Sequence, residues 1–500
     1  MKSPTYSRSK IPDSRFDFLS RWDKKYLWHP FTQQSEWAGR EPIIIRSGRG
    51  VWLRDIHGRR LLDGNASLWV NVWGHNHPAL NRAIRSQLSK IAHSTFLGLT
   101  HEPAIRLAKK LVEIAPPGLT RVFYSDNGST AVEVALKMAY QYWQLKGKRK
   151  KAKFVSLKEG YHGDTIGSVS VGGIDLFHER FRGLLFKGYS VSPPSPALRA
   201  PSPKGRGPSS MPCLLPLGEG GRRPDEGVDE VLRRHHQQIA AVILEPLIQG
   251  ASGMLVMPKG YLAHVARLCR KYQVLLIVDE VATGFGRTGT MFACEQEGVS
   301  PDFLCVAKSL TGGYLPLAAT LTKERIYRAF LGRYDQFKTF FHGHTYTANP
   351  LACAAALVNL NCYSSNKLLE NVRARANQMT ENFRRLKFHA HVKEIRQVGL
   401  MAGIELTDVA SPESRVPGRI NLRRETRDAG RGTVPYPPGA RMGLKVCDAA
   451  IRRGVWLRPL GDTIVLMPPL AISESELRFL LRIVHEAIEE VTTGDLRKGR

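Results

Sequence analysis

The sequence predicts an α/β fold built on a mainly parallel β-sheet that helices cover on both faces. The first observation is a series of short apolar, β-branched runs, which are typical of buried strands. The second is helical periodicity between several of these runs, at 130–143 and 261–272. Fully apolar strands that alternate with helices are typical of parallel sheets. The strand-like runs are RVFYS (121–125), KFVSL (153–157), AAVILEP (240–246), VLLIVDE (274–280) and DFLCVAK (302–308).

The order of these patterns predicts two domains of unequal size. A large domain over 73–350 contains the apolar strands. Beyond it, a helix-rich segment leads to the strand-like VGLMAGIEL (398–406) and to a last amphipathic helix over 474–491. These patterns predict a smaller α+β domain over 351–500. We expect the N-terminal segment, 1–72, to pack with the smaller domain.

Two stretches of the chain differ in composition from the rest. Residues 193–227 are dense in Pro, Gly, Ser and Arg, and residues 411–432 are polar and Arg-rich. Such segments bury too little apolar area to offset the entropy of ordering them. We therefore expect both to be flexible insertions in surface loops, where added length costs little.

Composition excludes some classes of protein and favours others. The chain has 500 residues, of which 42% are hydrophobic and 23% charged, as in ordinary globular proteins. No apolar run reaches the length of about 18 residues that a membrane span needs. The net charge of +29 raises nucleic-acid binding as an alternative, but no nucleic-acid-binding motif accompanies it. The seven scattered cysteines have no CxxC spacing, which predicts reduced thiols and a cytoplasmic location.

Two ionisable residues stand at the ends of neighbouring predicted strands. Asp279 ends the run 274–280, and a carboxylate buried there needs a cation or a ligand as partner. A cofactor pyridine nitrogen is one such partner, whereas a helix N-cap is the simpler interpretation. Lys308 ends the next run, where burial would lower its pKa and favour a nucleophilic amine. A lysine whose ammonium group reaches solvent at the sheet edge is the alternative.

Other motifs also follow predicted strands. Small and hydroxylated residues at 125–130 begin a helix, and such helix starts suit a phosphate, although a simple N-cap turn is equally compatible. Tyr161 follows the run 153–157 and could stack on a flat ring or be a surface aromatic. Two histidine pairs lack a third ligand at suitable spacing, so we expect no metal site. The pairs are His342 with His344, and His75 with His77.

Taken together, these motifs resemble those of the class III, fold type I pyridoxal-phosphate aminotransferases. The resemblance covers nearly the whole chain apart from the two insertions, and it implies a seven-stranded sheet. It further implies that Lys308 is the Schiff-base lysine and Asp279 the partner of the pyridine nitrogen. Gly128 and Ser129 would hold the phosphate, and Tyr161 would stack on the ring and face substrate. The most specific motifs are VDEVATGFGRTG (278–289) and AKSLTGG (307–313).

Within this family, the chain is most similar to the branch that aminates 8-amino-7-oxononanoate in biotin synthesis. This resemblance implies that Arg458 takes the substrate carboxylate, because a guanidinium binds that group bidentately. Gly343 and Trp69 would lie close to substrate. His344 and Thr345 would reach the phosphate of a neighbouring subunit, which implies a homodimer. The shared segments are 120–143, 160–172, 245–254, 292–295, 349–357 and 455–470.

Two departures from the branch leave the amino donor open. Members that use S-adenosylmethionine have Tyr where this chain has Phe31, and a second Trp where it has Leu68. His344 also stands where other members have proline. The resemblance is therefore compatible with S-adenosylmethionine or lysine as donor. The alternatives are another class III enzyme that acts on ω-amino acids, ornithine or 4-aminobutyrate, and a basic nucleic-acid-associated protein that has lost catalysis.

Overall fold

The structure is a computed structural model, and it describes residues 14–193, 226–409 and 433–496. Its strands are β1 Ile45–Arg49, β2 Trp52–Asp55, β3 Arg60–Asp63, β4 Leu119–Ser125, β5 Lys153–Leu157, β6 Tyr189–Val191, β7 Ile239–Leu244, β8 Ile248–Gln249, β9 Leu255–Val256, β10 Leu275–Asp279, β11 Phe303–Val306, β12 Ala318–Lys323, β13 Val392–Val398, β14 Met401–Leu406, β15 Asp408–Val409, β16 Thr433–Val434, β17 Val455–Trp456, β18 Pro459–Leu460 and β19 Thr463–Leu466.

The α-helices are α1 Ser14–Tyr26, α2 Gln34–Ala38, α3 Ala66–Trp69, α4 Pro78–Leu88, α5 Glu102–Ile114, α6 Gly128–Leu145, α7 Ile166–Ser170, α8 Asp175–His178, α9 Glu226–His235, α10 Tyr261–Lys271, α11 Glu324–Tyr327, α12 Pro350–Ser365, α13 Leu368–Leu386, α14 Met442–Arg452 and α15 Glu474–Leu496. The short element α3 departs from right-handed geometry, because Ser67 and Leu68 within it have positive φ and ψ.

Seven strands form the central sheet, in the order β4-β12-β11-β10-β7-β5-β6. The pairs β11-β10, β10-β7, β7-β5 and β5-β6 are parallel, whereas β12 runs antiparallel to both of its neighbours. The predicted α/β fold with a mainly parallel, seven-stranded sheet is therefore confirmed. In such sheets ligands bind beyond the carboxyl ends of the strands.

Helices bury both faces of this sheet, as fully apolar strands require. Alternate residues of each strand face opposite sides. Ile243 and Ile277 pack with buried residues of α6 on one face, whereas Val242 and Leu276 belong to the larger core that includes α5 and α10. Every residue of β7 and β10 is buried. This double cover holds the strand ends in fixed positions.

The N-terminal strands pair with a strand from the C-terminal part of the chain. The sheet order is β1-β2-β3-β17, and β3 runs parallel to β17. A separate four-stranded antiparallel sheet, β13-β14-β19-β18, lies within the C-terminal region. These pairings agree with a smaller α+β unit that includes the N-terminal segment. The boundaries 1–72, 73–350 and 351–500 stay a prediction.

The predicted insertions 193–227 and 411–432 lie outside the described residues, except for Pro193, Glu226 and Gly227. Six cysteines in the described ranges are free thiols, and the seventh, Cys213, lies outside those ranges. Among the described helices, none is both long and apolar enough to cross a bilayer.

A buried lysine ties together the amino ends of three central strands. Lys151 is 5% exposed, and its Nζ donates to the backbone carbonyl oxygens of His236, Ile239 and Gln273 at 2.8, 3.1 and 2.9 Å. These carbonyls precede or begin β7 and β10, while Lys151 itself precedes β5. Three buried acceptors therefore depend on one ammonium group, at the sheet edge opposite the strand carboxyl ends.

Replacing this lysine should destabilise the fold without touching the carboxyl edge of the sheet. We expect Lys151→Ala to lower the free energy of unfolding by about 3 kcal/mol, because buried carbonyls lose charged donors. Denaturant unfolding followed by circular dichroism measures the change. The control is Lys150→Ala, an exposed lysine in the same loop, which should change stability by less than about 0.5 kcal/mol. Equal effects of the two substitutions would contradict this account.

Candidate active site

A cavity of roughly 440 Å³ opens at the carboxyl edge of the central sheet. The segments that follow β4, β5, β7, β10 and β11 all contribute to its wall. It therefore lies where parallel α/β sheets bind ligands. Its lining includes Trp69, Asp126, Asn127, Gly128, Ser129, Tyr161, His162, Gly163, Glu245, Ala251, Asp279, Val281, Lys308, Thr311 and Tyr314.

Asp279 is the buried carboxylate at the end of β10. Its Oδ2 accepts a hydrogen bond from His162 Nδ1 at 2.7 Å, and its Oδ1 accepts one from the backbone N–H of Val281 at 3.0 Å. Both side chains are almost fully buried. Residues 280–289 form no helix, so Asp279 is not a helix N-cap. These two hydrogen bonds hold the Asp279 carboxylate in a fixed orientation at the cavity wall.

Lys308 lies on the same cavity, but not at the end of a strand as predicted. Strand β11 ends at Val306, and Lys308 opens a short 3-10 helix, Lys308–Thr311, with φ of 45°. Gly312 and Gly313 follow, both with positive φ, and Gly312 ends the 3-10 helix. Burial lowers the pKa of Lys308, and the nearby Asp279 partly opposes that shift. The position therefore favours a neutral, nucleophilic amine.

The amine of Lys308 has few contacts. Its Nζ lies 4.8 Å from the ring centroid of Trp69. Across the parts of the chain that the structure describes, no side chain or carbonyl forms a hydrogen bond with this nitrogen. An amine held against an aromatic face, with no hydrogen bond to break, is free to react with an electrophile in the cavity.

Tyr161 and Glu245 form one wall of the cavity. The Tyr161 hydroxyl donates to Asp164 Oδ2 at 2.8 Å, and burial raises the pKa of this phenol well above its ordinary value. Glu245 Oε2 accepts from the backbone N–H of Tyr161, and its Oε1 accepts from that of Gly250. Burial raises the pKa of Glu245 to about 7.

The start of α6 supplies backbone donors to the cavity. Asn127 caps the helix by accepting from the N–H of Thr130, whose hydroxyl accepts in turn from the N–H of Asn127. The first-turn N–H groups of Gly128 and Ser129 have no partner within the helix, and the helix dipole adds positive potential. A Cβ at Gly163 would come within 2.0 Å of the Ser129 hydroxyl, so glycine keeps this corner open. Such a helix start suits an anion.

Trp69 ends a segment of unusual backbone geometry. Ala66, Ser67, Leu68 and Trp69 have φ values of 46, 40, 64 and 75°, which makes a left-handed turn. Each non-glycine residue in that conformation costs about 1–2 kcal/mol. Such strain persists only where the surroundings enforce it, and it is concentrated at functional sites.

Several predicted site residues lie outside the cavity of their own chain. Gly343, His344 and Thr345 do not line it, and His344 Nε2 lies 3.9 Å from Asp126 Oδ1. Arg458 lies in a separate wide cleft, where its Nη2 donates to the backbone carbonyl of Phe31 at 3.0 Å. The structure thus brings together Lys308, Asp279, Tyr161, Gly128, Ser129 and Trp69, but not Gly343, His344, Thr345 or Arg458.

The cleft and the cavity adjoin each other. Ala251 lines both spaces. The ring of Phe177 meets Tyr161 at 6.3 Å on the cavity side and Phe31 at 5.4 Å on the cleft side, both edge to face. An elongated molecule with one end at Lys308 could therefore extend towards Arg458.

Sequence reasoning missed two residues of the cavity. His162 directly follows Tyr161 in the sequence and was given no role, although it is the partner of Asp279. Glu245 follows β7 directly, as Asp279 ends β10, so the rule that sheet ligands bind at carboxyl ends could have found it. Among the described residues, no group of three or more His, Cys, Asp or Glu side chains has a metal-binding arrangement.

The residues of the cavity fit pyridoxal phosphate. A buried carboxylate can pair with a protonated ring nitrogen, a helix start can bind a phosphate, and an amine with a lowered pKa can attack an aldehyde. His162 Nε2 is buried and has no hydrogen-bond partner among the described residues, which leaves polar capacity beside Asp279. These features require no metal.

Comparisons with known proteins agree with this geometry. Residues 34–488 match the class-III aminotransferase family. The adenosylmethionine-8-amino-7-oxononanoate aminotransferase of Aquifex aeolicus is 48% identical, over 95% of this chain and 97% of its own. The crystal structure of the Methanocaldococcus jannaschii enzyme of the same name matches with a TM-score of 0.83, at 42% identity, over 95% of this chain and 99% of that one.

A second kind of solved structure is also similar. A PLP-bound amine transaminase from an uncultivated Pseudomonas species is 33% identical, with a TM-score of 0.78, over 93% of this chain and 99% of that one. The match to the family model covers most of the chain, and the relatives match at high identity over nearly their full length. The chain belongs to the class-III aminotransferases.

Proposed function

We propose that this chain uses pyridoxal phosphate to transfer an amino group onto the ketone of 8-amino-7-oxononanoate, forming 7,8-diaminononanoate in biotin synthesis. The observation that carries the proposal is the cavity in which the amine of Lys308 and the carboxylate of Asp279 face one space. Relatives at 42–48% identity are named for this reaction. The reaction class and the substrate therefore have separate lines of support.

The cofactor has a distinct set of contacts in this proposal. When bound, pyridoxal phosphate supplies an electron-withdrawing ring that carries the amino group between donor and acceptor. Asp279, oriented by His162, would hold a proton on the ring nitrogen. The N–H groups and hydroxyl at Gly128 and Ser129 would bind the phosphate. Tyr161 would pack on the ring face.

Lys308 is the nucleophile and the base of the proposed mechanism. Burial lowers the pKa of Lys308 and so favours the neutral amine, whose Nζ can attack a carbonyl and later accept a proton from the substrate carbon. Trp69 covers the amine on one side. That cover limits the water that could compete for the same proton.

The acceptor substrate has a carboxylate and a ketone at opposite ends of an apolar chain. Arg458 binds the carboxylate in the cleft, and the ketone reaches Lys308 in the cavity. The aromatic rings of Phe31, Phe177 and Tyr161 connect the two spaces and suit the apolar chain between them. The hydrogen bond from Arg458 to the Phe31 carbonyl leaves its remaining N–H groups for substrate.

We propose further that the enzyme is a cytoplasmic homodimer. Thr345 and His344 lie outside the cavity of their own chain, a position suited to binding the phosphate in the partner subunit. Gly343 would approach substrate there. The same region exposes large apolar side chains that a second copy would cover, since monomers rarely leave such surfaces open. These are Leu97, Leu99, Phe341 and Tyr346, each more than 59% exposed. Free thiols agree with a reducing compartment.

The proposed reaction has a direct test. The purified chain, loaded with pyridoxal phosphate, should convert 8-amino-7-oxononanoate to 7,8-diaminononanoate, detected by mass spectrometry, with S-adenosylmethionine or lysine as donor. Running the two donors separately decides between them. Lys308→Ala should lower turnover to background. Lys158→Ala, which changes an exposed lysine directly after β5 at the same sheet edge, should leave turnover unchanged.

Two outcomes would contradict the proposal. Turnover of ω-amino acids or simple amines with none of 8-amino-7-oxononanoate would assign the chain to another class III activity. A chain that gains no visible absorbance from pyridoxal phosphate would not be an aminotransferase at all.

Glu245 should make stability depend on pH. Its pKa is about 7 in the folded chain against an ordinary 4.5, so its contribution is full below pH 4.5 and is lost as pH rises through 7. Glu245→Gln removes this loss. The free energy of unfolding of the wild type minus that of the variant should therefore fall by about 2 kcal/mol between pH 5 and pH 8.

Denaturant unfolding at a series of pH values measures this difference. Glu297→Gln is the matched control, because the carboxylate of Glu297 also accepts from two backbone N–H groups but is half-buried. If the free energy of unfolding of the wild type minus that of Glu245→Gln did not change with pH, or grew with pH, the raised pKa of Glu245 would be refuted.

A further inference from the structure

The strained turn 66–69 needs something to hold it. Its four residues have no glycine to relieve the left-handed geometry. The turn ends at Trp69, whose ring is 7% exposed and lies against Lys308 Nζ. A shift of this backbone would move the aromatic ring over which the Lys308 amine lies. Whatever enforces the turn therefore also sets the surroundings of Lys308.

The carboxylate of Asp63 is that constraint. It is fully buried at the end of β3. The backbone N–H of Ser67 donates to both of its oxygens, at 2.8 and 2.7 Å, and the Ser67 hydroxyl donates to Oδ2 at 2.8 Å. His75 Nε2 donates to the same Oδ2 at 2.9 Å. Two donors thus come from inside the turn, and a third fixes the carboxylate from outside it.

His75 is itself firmly placed. Its Nδ1 lies 3.2 Å from Asn71 Nδ2, and its backbone pairs with that of Gly50 in both directions. A Cβ at Gly48 would come within 2.8 Å of the His75 side chain, so the ring packs directly on backbone. Strand β3, the histidine and the turn therefore form one connected unit.

We propose that Asp63 is a positioning residue of the active site, which acts through the turn 66–69 to hold the indole of Trp69 against the amine of Lys308. His75 supports it by fixing the orientation of the carboxylate. The inference rests on the proposed function, in which Lys308 is the nucleophile. It gives Asp63, Ser67 and His75 a shared role in positioning Trp69.

An alternative is that Asp63 acts on Lys308 by its charge. The charged groups that influence the pKa of Lys308 are Asp279, Glu245 and Arg287, and Asp63 is not among them. Asp63 instead lies near enough to Arg287 to raise the pKa of that guanidinium. An effect of Asp63 on Lys308 should therefore pass through Trp69, and a double-mutant cycle can separate the two routes.

The test follows Lys308 in the full-length chain without added cofactor. Reductive methylation by formaldehyde, read at Lys308 by peptide mass spectrometry across pH, gives the midpoint at which the amine becomes neutral. Trp69→Leu should lower this midpoint by about half a unit or more, because an aromatic face stabilises the ammonium form. Asp63→Asn should give a shift of the same sign and similar size. In the Trp69→Leu background, Asp63→Asn should add nothing.

The control is Asp55→Asn. Asp55 is also buried, and its carboxylate also accepts from two backbone N–H groups, of His57 and Arg59, in the sheet that contains β3. It should lower stability without moving the Lys308 midpoint. Ser67→Ala removes one hydroxyl donor and keeps the charge of Asp63. Ser67→Ala should shift the Lys308 midpoint by a smaller amount, and this shift should also vanish in the Trp69→Leu background. It replaces Asp63→Asn in the test if Asp63→Asn does not fold.

Two results would overturn the proposal. An unchanged midpoint in folded Asp63→Asn and Ser67→Ala would leave Asp63 a purely structural residue. An equal shift with and without Trp69 would make its effect one of charge. Both results are independent of substrate. Failure of the wild type to aminate 8-amino-7-oxononanoate would therefore refute the proposed function, whereas the double-mutant cycle of Asp63 and Trp69 could still be interpreted.

Discussion

The buried carboxylate of Asp279 is the constraint on which the site depends. A negative charge held at the end of a fully apolar strand is costly unless a cation or strong hydrogen bonds compensate it. His162 and the N–H of Val281 supply two such bonds, and they fix the direction in which the carboxylate faces. Strand β10 is buried along its whole length, so the strand holds the Asp279 carboxylate in one orientation. A protonated ring nitrogen in the cavity would complete the compensation.

Two other elements of the site have strained backbone geometry. Lys308 and the turn 66–69 have left-handed backbone conformations without glycine. Such geometry persists only where the surroundings enforce it. Here the doubly covered sheet supports Lys308, and the carboxylate of Asp63 holds the turn. The stability of the surrounding fold thus offsets the strain of these conformations and keeps the Lys308 amine in contact with the Trp69 indole.

The sequence was sufficient for the fold and for much of the site. Apolar strands and intervening helices have strong local patterns, and the family resemblance that the polar residues after them carry implied that Asp279, Lys308, Tyr161 and the start of α6 share one site. His162 was missed because burial and a hydrogen bond to Asp279, which no local pattern records, define its role. Glu245 was missed although its place directly after β7 could have marked it. The structure of a single chain does not test His344 and Thr345, since the resemblance assigns them to the phosphate of a neighbouring subunit, and it leaves Gly343 outside the cavity of its own chain. The left-handed turn was missed because no glycine marks it.

The central claim is that Asp279, held by His162, gives the cavity its chemistry. Its most direct test is the turnover of Asp279→Asn at saturating substrates, with cofactor occupancy confirmed by visible absorbance. Asparagine keeps the size of the side chain but removes the charge. The account predicts that cofactor still binds and that turnover falls by at least about a hundredfold, as when an enzyme loses one key electrostatic contact. Fully loaded Asp279→Asn with turnover close to that of the wild type would contradict it.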